Sequence, residues 1–220
     1  MITEKTSSDW AQLFRIALNL IGQVNSHGTV IDHWTFGGGT AMMLQIAHRE
    51  SHDVDIFLCD PQLLPFLDPQ KQDFNFEIRP SEYQGDGNRF LKLAFEAVGE
   101  IDFIVAGHKT ANPTIEREIE GTNVLLETIP EIIAKKIIFR GRSIKPRDIF
   151  DIAAASVDHS ADLIRELDPY RQNVMETIAQ VDRLNPEFVR GAIDSLIIME
   201  GYKGVAATAL DRAKEILRSV

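Results

Sequence analysis

The chain has 220 residues and carries 23 Lys+Arg against 33 Asp+Glu, a formal charge of −10. With 44% hydrophobic and 25% charged residues, disorder, collagen and coiled-coil arrays are excluded, and the length suits one large domain or a domain with an annex. The acidic balance argues against a broad electrostatic grip on nucleic acid, and the lone Cys59 excludes an internal disulfide. No membrane-spanning stretch and no secretory signal are legible, so a reducing, cytoplasmic setting is the expectation.

Residues 8–25 place Trp10, Leu13, Phe14, Ala17, Leu18 and Ile21 at helical spacing, with Ser7 or Ser8 as N-cap and Ser26-His27-Gly28 as the stop. A short apolar segment, 33–36, then runs into three glycines. A helix is expected over 40–48 and a strand over 53–58. Further strands are expected at 73–79, 89–96, 100–105 and 122–127, with Gln84-Gly85-Asp86-Gly87-Asn88 as a turn. From Pro130 the pattern becomes helical: 130–140, 146–157, 161–181, 186–200 and 205–218. A mixed first half and a helical second half predict an α+β protein, with a sheet domain over 1–128 and a helical annex over 129–220.

The most informative stretch is 37–57, GGGTAMMLQIAHRESHDVDIF. Gly37, Gly38 and Gly39 stand between a strand and a helix, where a bare backbone lets a ligand approach. The N–H groups opening that helix could hold a phosphate, with the Thr40 hydroxyl as a further donor. Alone, such glycines more often make a plain tight turn. Alternation puts Asp53 and Asp55 on one strand face. Two carboxylates side by side repel unless a cation lies between them, and hard oxygen ligands suit Mg²⁺ or Mn²⁺. Asp102 lies in an otherwise apolar strand, and if that strand neighbours 53–58 it joins the pair; Glu100 is its rival. Three such carboxylates can hold two metals and deprotonate an attacking hydroxyl.

This block resembles the polymerase-β-type nucleotidyltransferase fold, and specifically the AbiEii-like toxins of abortive-infection and type IV toxin–antitoxin systems. The residues that carry the resemblance are Gly38-Gly39-Thr40-Ala41-Met42, then His48-Arg49, Ser51, Asp53, Asp55 and Phe57. Met42 replaces the family's usual Leu. A second block runs Ala134-Lys135-Lys136-Ile137, Arg140, then Arg147-Asp148-Ile149-Phe150-Asp151. The resemblance implies that Lys136 meets the nucleotide phosphates and that Arg147, Asp148 and Asp151 support the site. Beyond about residue 158 nothing specific matches.

The residues of the second block also have plainer readings. Segment 131–151 carries six basic residues against three acidic ones in an otherwise acidic chain. Lys136 and Arg140 share a helix face and could meet a triphosphate, or simply face solvent. Arg147 and Asp151 could form an i, i+4 ion pair, and Asp148 suits a helix's first turn after Pro146. The run His48 to His52 lacks the HExxH order of a zinc site, so His48 and Arg49 are expected to orient the carboxylate strand or touch phosphate. Cys59 is expected to be a buried structural thiol.

The sequence therefore predicts an Mg²⁺- or Mn²⁺-dependent nucleotidyltransferase that moves NMP from an NTP to a hydroxyl of a tRNA-like RNA or a protein. Asp53, Asp55 and Asp102 would hold the metals, with Asp102 also the base. Gly38, Gly39, Thr40, Arg49, Ser51, Arg140, Arg147, Asp148 and Asp151 would bind the nucleotide, with Lys136 a catalytic residue on its phosphates. The resemblance implies a winged-helix antitoxin as partner. The alternative is a non-catalytic nucleotide-binding or antitoxin-paired regulatory module with the same fold.

Overall fold

Helix α1 (Trp10–Val24) opens the described part of the chain, residues 10–220 of the computed structural model. Its expected N-cap, Ser7 or Ser8, lies outside the described residues. The helix stops in a 3-10 turn (Asn25–His27), followed by Gly28 at φ 145°. Close packing divides the chain into two units. The first comprises 10–41, 51–107 and 114–127; the second comprises 42–50, 108–113 and 128–220. The change at Glu127/Thr128 falls where the sequence turns helical, and two short earlier segments go with the helical unit.

The first unit is built on a seven-stranded mixed sheet. Its strands are β1 (Trp34–Gly37), β2 (Val54–Leu58), β3 (Glu82–Gly85), β4 (Phe90–Phe95), β5 (Gly99–Val105), β6 (Thr114–Ile119) and β7 (Thr122–Glu127). They run in the order β3-β4-β5-β2-β1-β7-β6. β2 lies parallel to β5 and antiparallel to β1, while β1 lies parallel to β7. Leu13, Phe14, Ala17 and Leu20 of α1 are fully or almost fully buried, and Phe14 stacks on Phe36 at 5.0 Å. Phe36 is the register partner of Ile56, so α1 covers the Val54, Ile56 and Leu58 face. Asp55 and Phe57 point to the opposite face. Burying these side chains contributes about 1.5–3 kcal/mol each, which makes the register of β2 strongly determined.

Three expected features of this unit are corrected. Residues 73–79 alternate like a strand but do not form one, because Gln23 intercepts the backbone of Asn75. The Gln23 Oε1 accepts from Asn75 N at 2.9 Å, and its Nε2 donates to Asn75 O at 3.0 Å. The strand instead falls at Glu82–Gly85, running into the first two residues of the expected turn. The turn itself is Asp86–Arg89, where Asp86 Oδ1 accepts from the N–H of Asn88, Arg89 and Phe90. The unforeseen β6 is a charged edge strand joined to β7 by Glu120 and Gly121, both at positive φ. Short helix α3 (Leu64–Leu67) completes the unit. Cys59 is exposed rather than buried, since β2 ends at Leu58 and the chain turns outward at Asp60-Pro61.

Helix α2 (Gly38–Ile46) begins in the first unit and ends in the second. The second unit is otherwise helical: α4 (Ile129–Arg140), α5 (Pro146–Leu167), α6 (Arg171–Val181), α7 (Pro186–Asp194), α8 (Lys203–Ala207) and α9 (Ala209–Arg218). α5 is the central helix, packing on α4, α7, α8 and α9. It starts as expected at Pro146, and Asp148 Oδ2 accepts from Lys145 N at 3.2 Å in the first turn. The expected break near 158–160 is a single non-helical residue, His159; the true break is at Asp168-Pro169, where a proline cannot continue the ladder. The helix expected over 186–200 ends at Asp194, because 197–199 pairs with 48–50. Met199 N donates to His48 O at 3.1 Å and Glu50 N to Ile197 O at 2.9 Å.

Candidate active site

The first unit gathers its carboxylates through strand register. Asp55 of β2 is the register partner of Asp102 on β5, and also of Gly37 on β1. Register partners share a face, so Asp55 and Asp102 stand side by side on strands about 4.8 Å apart. Asp53 precedes β2 and is half-buried, and its Oδ1 accepts from Glu100 N at 3.2 Å. The register thus sets Asp102 at the level of Asp55, and Glu100 one repeat away at the level of Asp53.

The glycines make room for carboxylates. A Cβ on Gly38, whose φ is +72°, would lie 1.8 Å from Asp55 Oδ2. A Cβ on Gly37 would lie 2.3 Å from Glu127 Oε2. Glu127, at the end of β7, is fully buried and accepts from Thr35 Oγ1 at 2.7 Å. Thr40 is buried too, and its hydroxyl proton goes to the Asp53 carbonyl instead of facing a phosphate. Thr40 therefore fastens the start of α2 to the entrance of β2, at Asp53. Gly39 and Ser51 are half-buried beside these residues in the chain.

Burial and the neighbouring Asp55 charge push the Asp102 carboxyl up to about 6, against the pull of Lys92. A carboxylic acid held above its ordinary range favours the protonated form in the folded state. Its contribution to stability is therefore lost as pH rises from the usual carboxylate range through about 6. Asp102→Asn should accordingly raise the stability of metal-free protein at pH 8 by on the order of 2–3 kcal/mol, seen as a higher melting temperature, and the gain should shrink towards pH 4. Thermal melts in EDTA across that range check this; a destabilised variant at pH 8 would contradict it.

These carboxylates fit a hard divalent cation. Asp55 and Asp102 are adjacent, largely buried and mutually repelling, and carboxylate oxygens are the donors Mg²⁺ and Mn²⁺ prefer. Among the described residues no group of three or more His, Cys, Asp or Glu side chains forms a ready metal cage.

The second unit holds a buried ion network that the sequence had assigned to nucleotide binding. Asp151 is fully buried. It accepts from Arg49 through two bonds, at 2.7 and 3.0 Å, and lies 3.0 Å from Lys136 Nζ. His48 Nε2 lies 2.9 Å from its Oδ1. Burial opposes ionisation here, yet Arg49 and Lys136 hold the Asp151 carboxyl well below the usual range. Among the described residues the buried His48 Nδ1 has no hydrogen-bond partner.

Lys136 is also buried, with Nζ 2.8 Å from Asp148 Oδ1, and Arg140 reaches the same oxygen at 3.7 Å. Burial works against the Asp148 charge too, but Lys136 holds its carboxyl below the ordinary range. Lys136 and Arg140 are thus not a solvated helix face. The i, i+4 pair of Arg147 with Asp151 does not form: Arg147 is exposed and has no ion pair among the described residues. Sequence reasoning missed two groups of the first unit. Lys92 on β4 contacts both Glu100 and Asp102, and Glu127 presses on Gly37. The alternation of β4, with Leu91 and Leu93 buried on one side of Lys92, was the available signal for the first.

The first unit thus presents a glycine turn between a strand and a helix, with Asp55 and Asp102 paired on neighbouring parallel strands. The chain belongs to the AbiEii family, the nucleotidyl transferase toxins of type IV toxin–antitoxin systems, whose family model matches residues 20–208. Its fold is similar to a protein designated a nucleotidyltransferase from H. pylori, at a TM-score of 0.51 and 17% identity over 97% of this chain and 96% of that one. It is also similar to MenT4, a nucleotidyltransferase toxin from Mycobacterium tuberculosis H37Rv, at a TM-score of 0.52 and 19% identity over 95% of this chain and 83% of that one. None of the curated proteins matches the chain. The expected α+β nucleotidyltransferase fold therefore holds, and no helix among the described residues is long and apolar enough to cross a membrane.

Proposed function

We propose that the chain moves NMP from an NTP to a hydroxyl acceptor, an RNA of tRNA type or a protein side chain, in a divalent-metal-dependent reaction. The observation that carries this reading is the register pair Asp55–Asp102, two carboxylates crowded on one sheet face with Asp102 pushed up to about 6. Asp55 and Asp102, with Asp53 at the strand entrance, would hold Mg²⁺ or Mn²⁺. When bound, the cation would neutralise charge on the transferring phosphate. Asp102, beside Asp55 on the sheet face, is the group placed to take the proton of the attacking hydroxyl. The acceptor oxygen forms a bond to the α-phosphorus as the α–β anhydride bond breaks, and pyrophosphate leaves. Gly38 keeps the Asp55 carboxylate against the start of α2, and Thr40 holds the strand entrance in place. In the second unit Arg147 is an exposed cation available to an anionic ligand, whereas Lys136 acts through Asp148 and Asp151 as a positioning residue.

The test is incubation of the purified protein with each α-labelled NTP, Mg²⁺ and either total RNA or protein acceptors. Label should appear on one acceptor class and disappear in EDTA. Transfer undiminished by EDTA would remove the metal from the reading, and NTP binding with no transfer to any acceptor would favour the non-catalytic module. The family's toxin–antitoxin setting supports a partner as well. Growth arrest on expression, relieved by the product of an adjacent winged-helix gene, is the expected outcome.

A further inference from the structure

Lys92, Asp102, Asp55 and Gly37 are successive register partners across β4, β5, β2 and β1, so one lysine ends the row that holds the two crowded carboxylates. Its Nζ contacts Glu100 Oε2 and lies 3.4 Å from Asp102 Oδ2. The lysine side chain is 29% exposed, against 19% for Asp102 and 40% for Glu100. A flexible ammonium that touches two carboxylates of unequal exposure can lean on either with little change in its own contacts. The buried one, Asp102, faces the charge of Asp55 from its other side. The exposed one, Glu100, faces solvent and needs no counter-charge.

From this geometry we propose that Lys92 is a tethered counter-cation of the carboxylate pair: it offsets the Asp55–Asp102 repulsion when no metal is bound and yields to Glu100 when a divalent cation takes its place. This rests on the metal-dependent reading above and adds a residue that reading does not use. The fixed positive charge is a positioning device, not a group that touches the nucleotide. It stabilises the metal-free sheet and weakens metal binding by the same factor, because both effects arise from one charge. A unit charge a few ångströms from a divalent ion in a partly solvated site shifts affinity by about tenfold.

The experiment compares wild type with Lys92→Met, which keeps the apolar stem, and Lys92→Arg, which keeps the charge. Mn²⁺ binding is followed by calorimetry and by the loss of the free-ion paramagnetic resonance signal, and melting temperatures are taken in EDTA and in saturating Mn²⁺. Lys92→Met should bind Mn²⁺ about tenfold more tightly and should melt below wild type in EDTA, with the gap closing in Mn²⁺. Lys92→Arg should resemble wild type. An equal loss of melting temperature with and without Mn²⁺, at unchanged affinity, overturns the proposal and leaves Lys92 as a strut for Glu100. Absence of Mn²⁺ binding by wild type overturns the metal reading itself, and this proposal with it. Should Lys92→Met fail to fold, Lys92→Gln, neutral but still hydrogen-bonding, gives the same comparison.

Discussion

Asp55→Asn should reduce NMP transfer by about a thousandfold or more, since it removes a carboxylate of the pair proposed to hold the metal, and such charge stabilisation is worth several kcal/mol. The fold should survive. Asp55 is only 8% exposed, but its ionised form stands beside Asp102 and raises the proton affinity of that residue. Neutralising Asp55 relieves this repulsion, so the metal-free variant should melt no lower than wild type at pH 8. Loss of activity without loss of stability is the signature of a group kept for chemistry. Label transfer from α-labelled NTP, measured beside a thermal melt, tests both halves. Unchanged transfer would end the assignment of the carboxylate pair.

The opposite pattern is expected at Asp151. Asp151→Ala leaves Arg49 and Lys136 buried without their shared acceptor, and removing one partner of a buried ion pair typically costs about 3–5 kcal/mol. The network is balanced only as a whole: Asp148 and Asp151 against Lys136 and Arg49, with Arg140 at the margin. A fall in stability of that size, seen as a lower denaturant midpoint, should accompany the substitution, and Lys136→Met should fall by a similar amount. In a double-mutant cycle the pair Lys136→Met with Asp148→Asn should cost less than the sum of the singles, because each partner already strands the other. Were Lys136 solely a phosphate ligand, its substitution would leave the midpoint of the nucleotide-free protein unchanged.

These two expectations divide a motif that reads as uniform in the sequence. His48-Arg49 and Asp53-Val54-Asp55 lie within eight residues of one short block, and the resemblance to AbiEii-like toxins assigns them to one purpose. In the structure His48 and Arg49 face Asp151 within the helical unit, while Asp55 faces Asp102 within the sheet. Neighbours in sequence are parted because the chain changes unit at residue 50.

The strand at 53–58, the segment at 100–105 and the helices from 130 onward were legible because each carries its own periodic apolar face. Val54, Ile56 and Leu58, or Ile149, Phe150 and Ala153, are buried whatever lies beyond them. The strand at 73–79 was not. Its alternation was real, but a single glutamine from α1 took the backbone groups that a ladder needs. The edge strand β6 was missed for the converse reason, since its charged residues protect an exposed edge and erase the apolar signal.

By itself, then, the sequence determined the family and the α+β fold class. Those depend on residue types and spacings along the chain, which local physics reads directly. Tertiary structure alone decided what each charge faces. Asp102 was chosen over Glu100 by the register of two parallel strands, Lys92 and Glu127 were brought in from strands far away in sequence, and Lys136 was turned from a solvent-facing cation into a buried partner of Asp148 and Asp151. Charge is written in the sequence one residue at a time, but its strength is set by distance and by the water that packing removes, and both are properties of the folded chain.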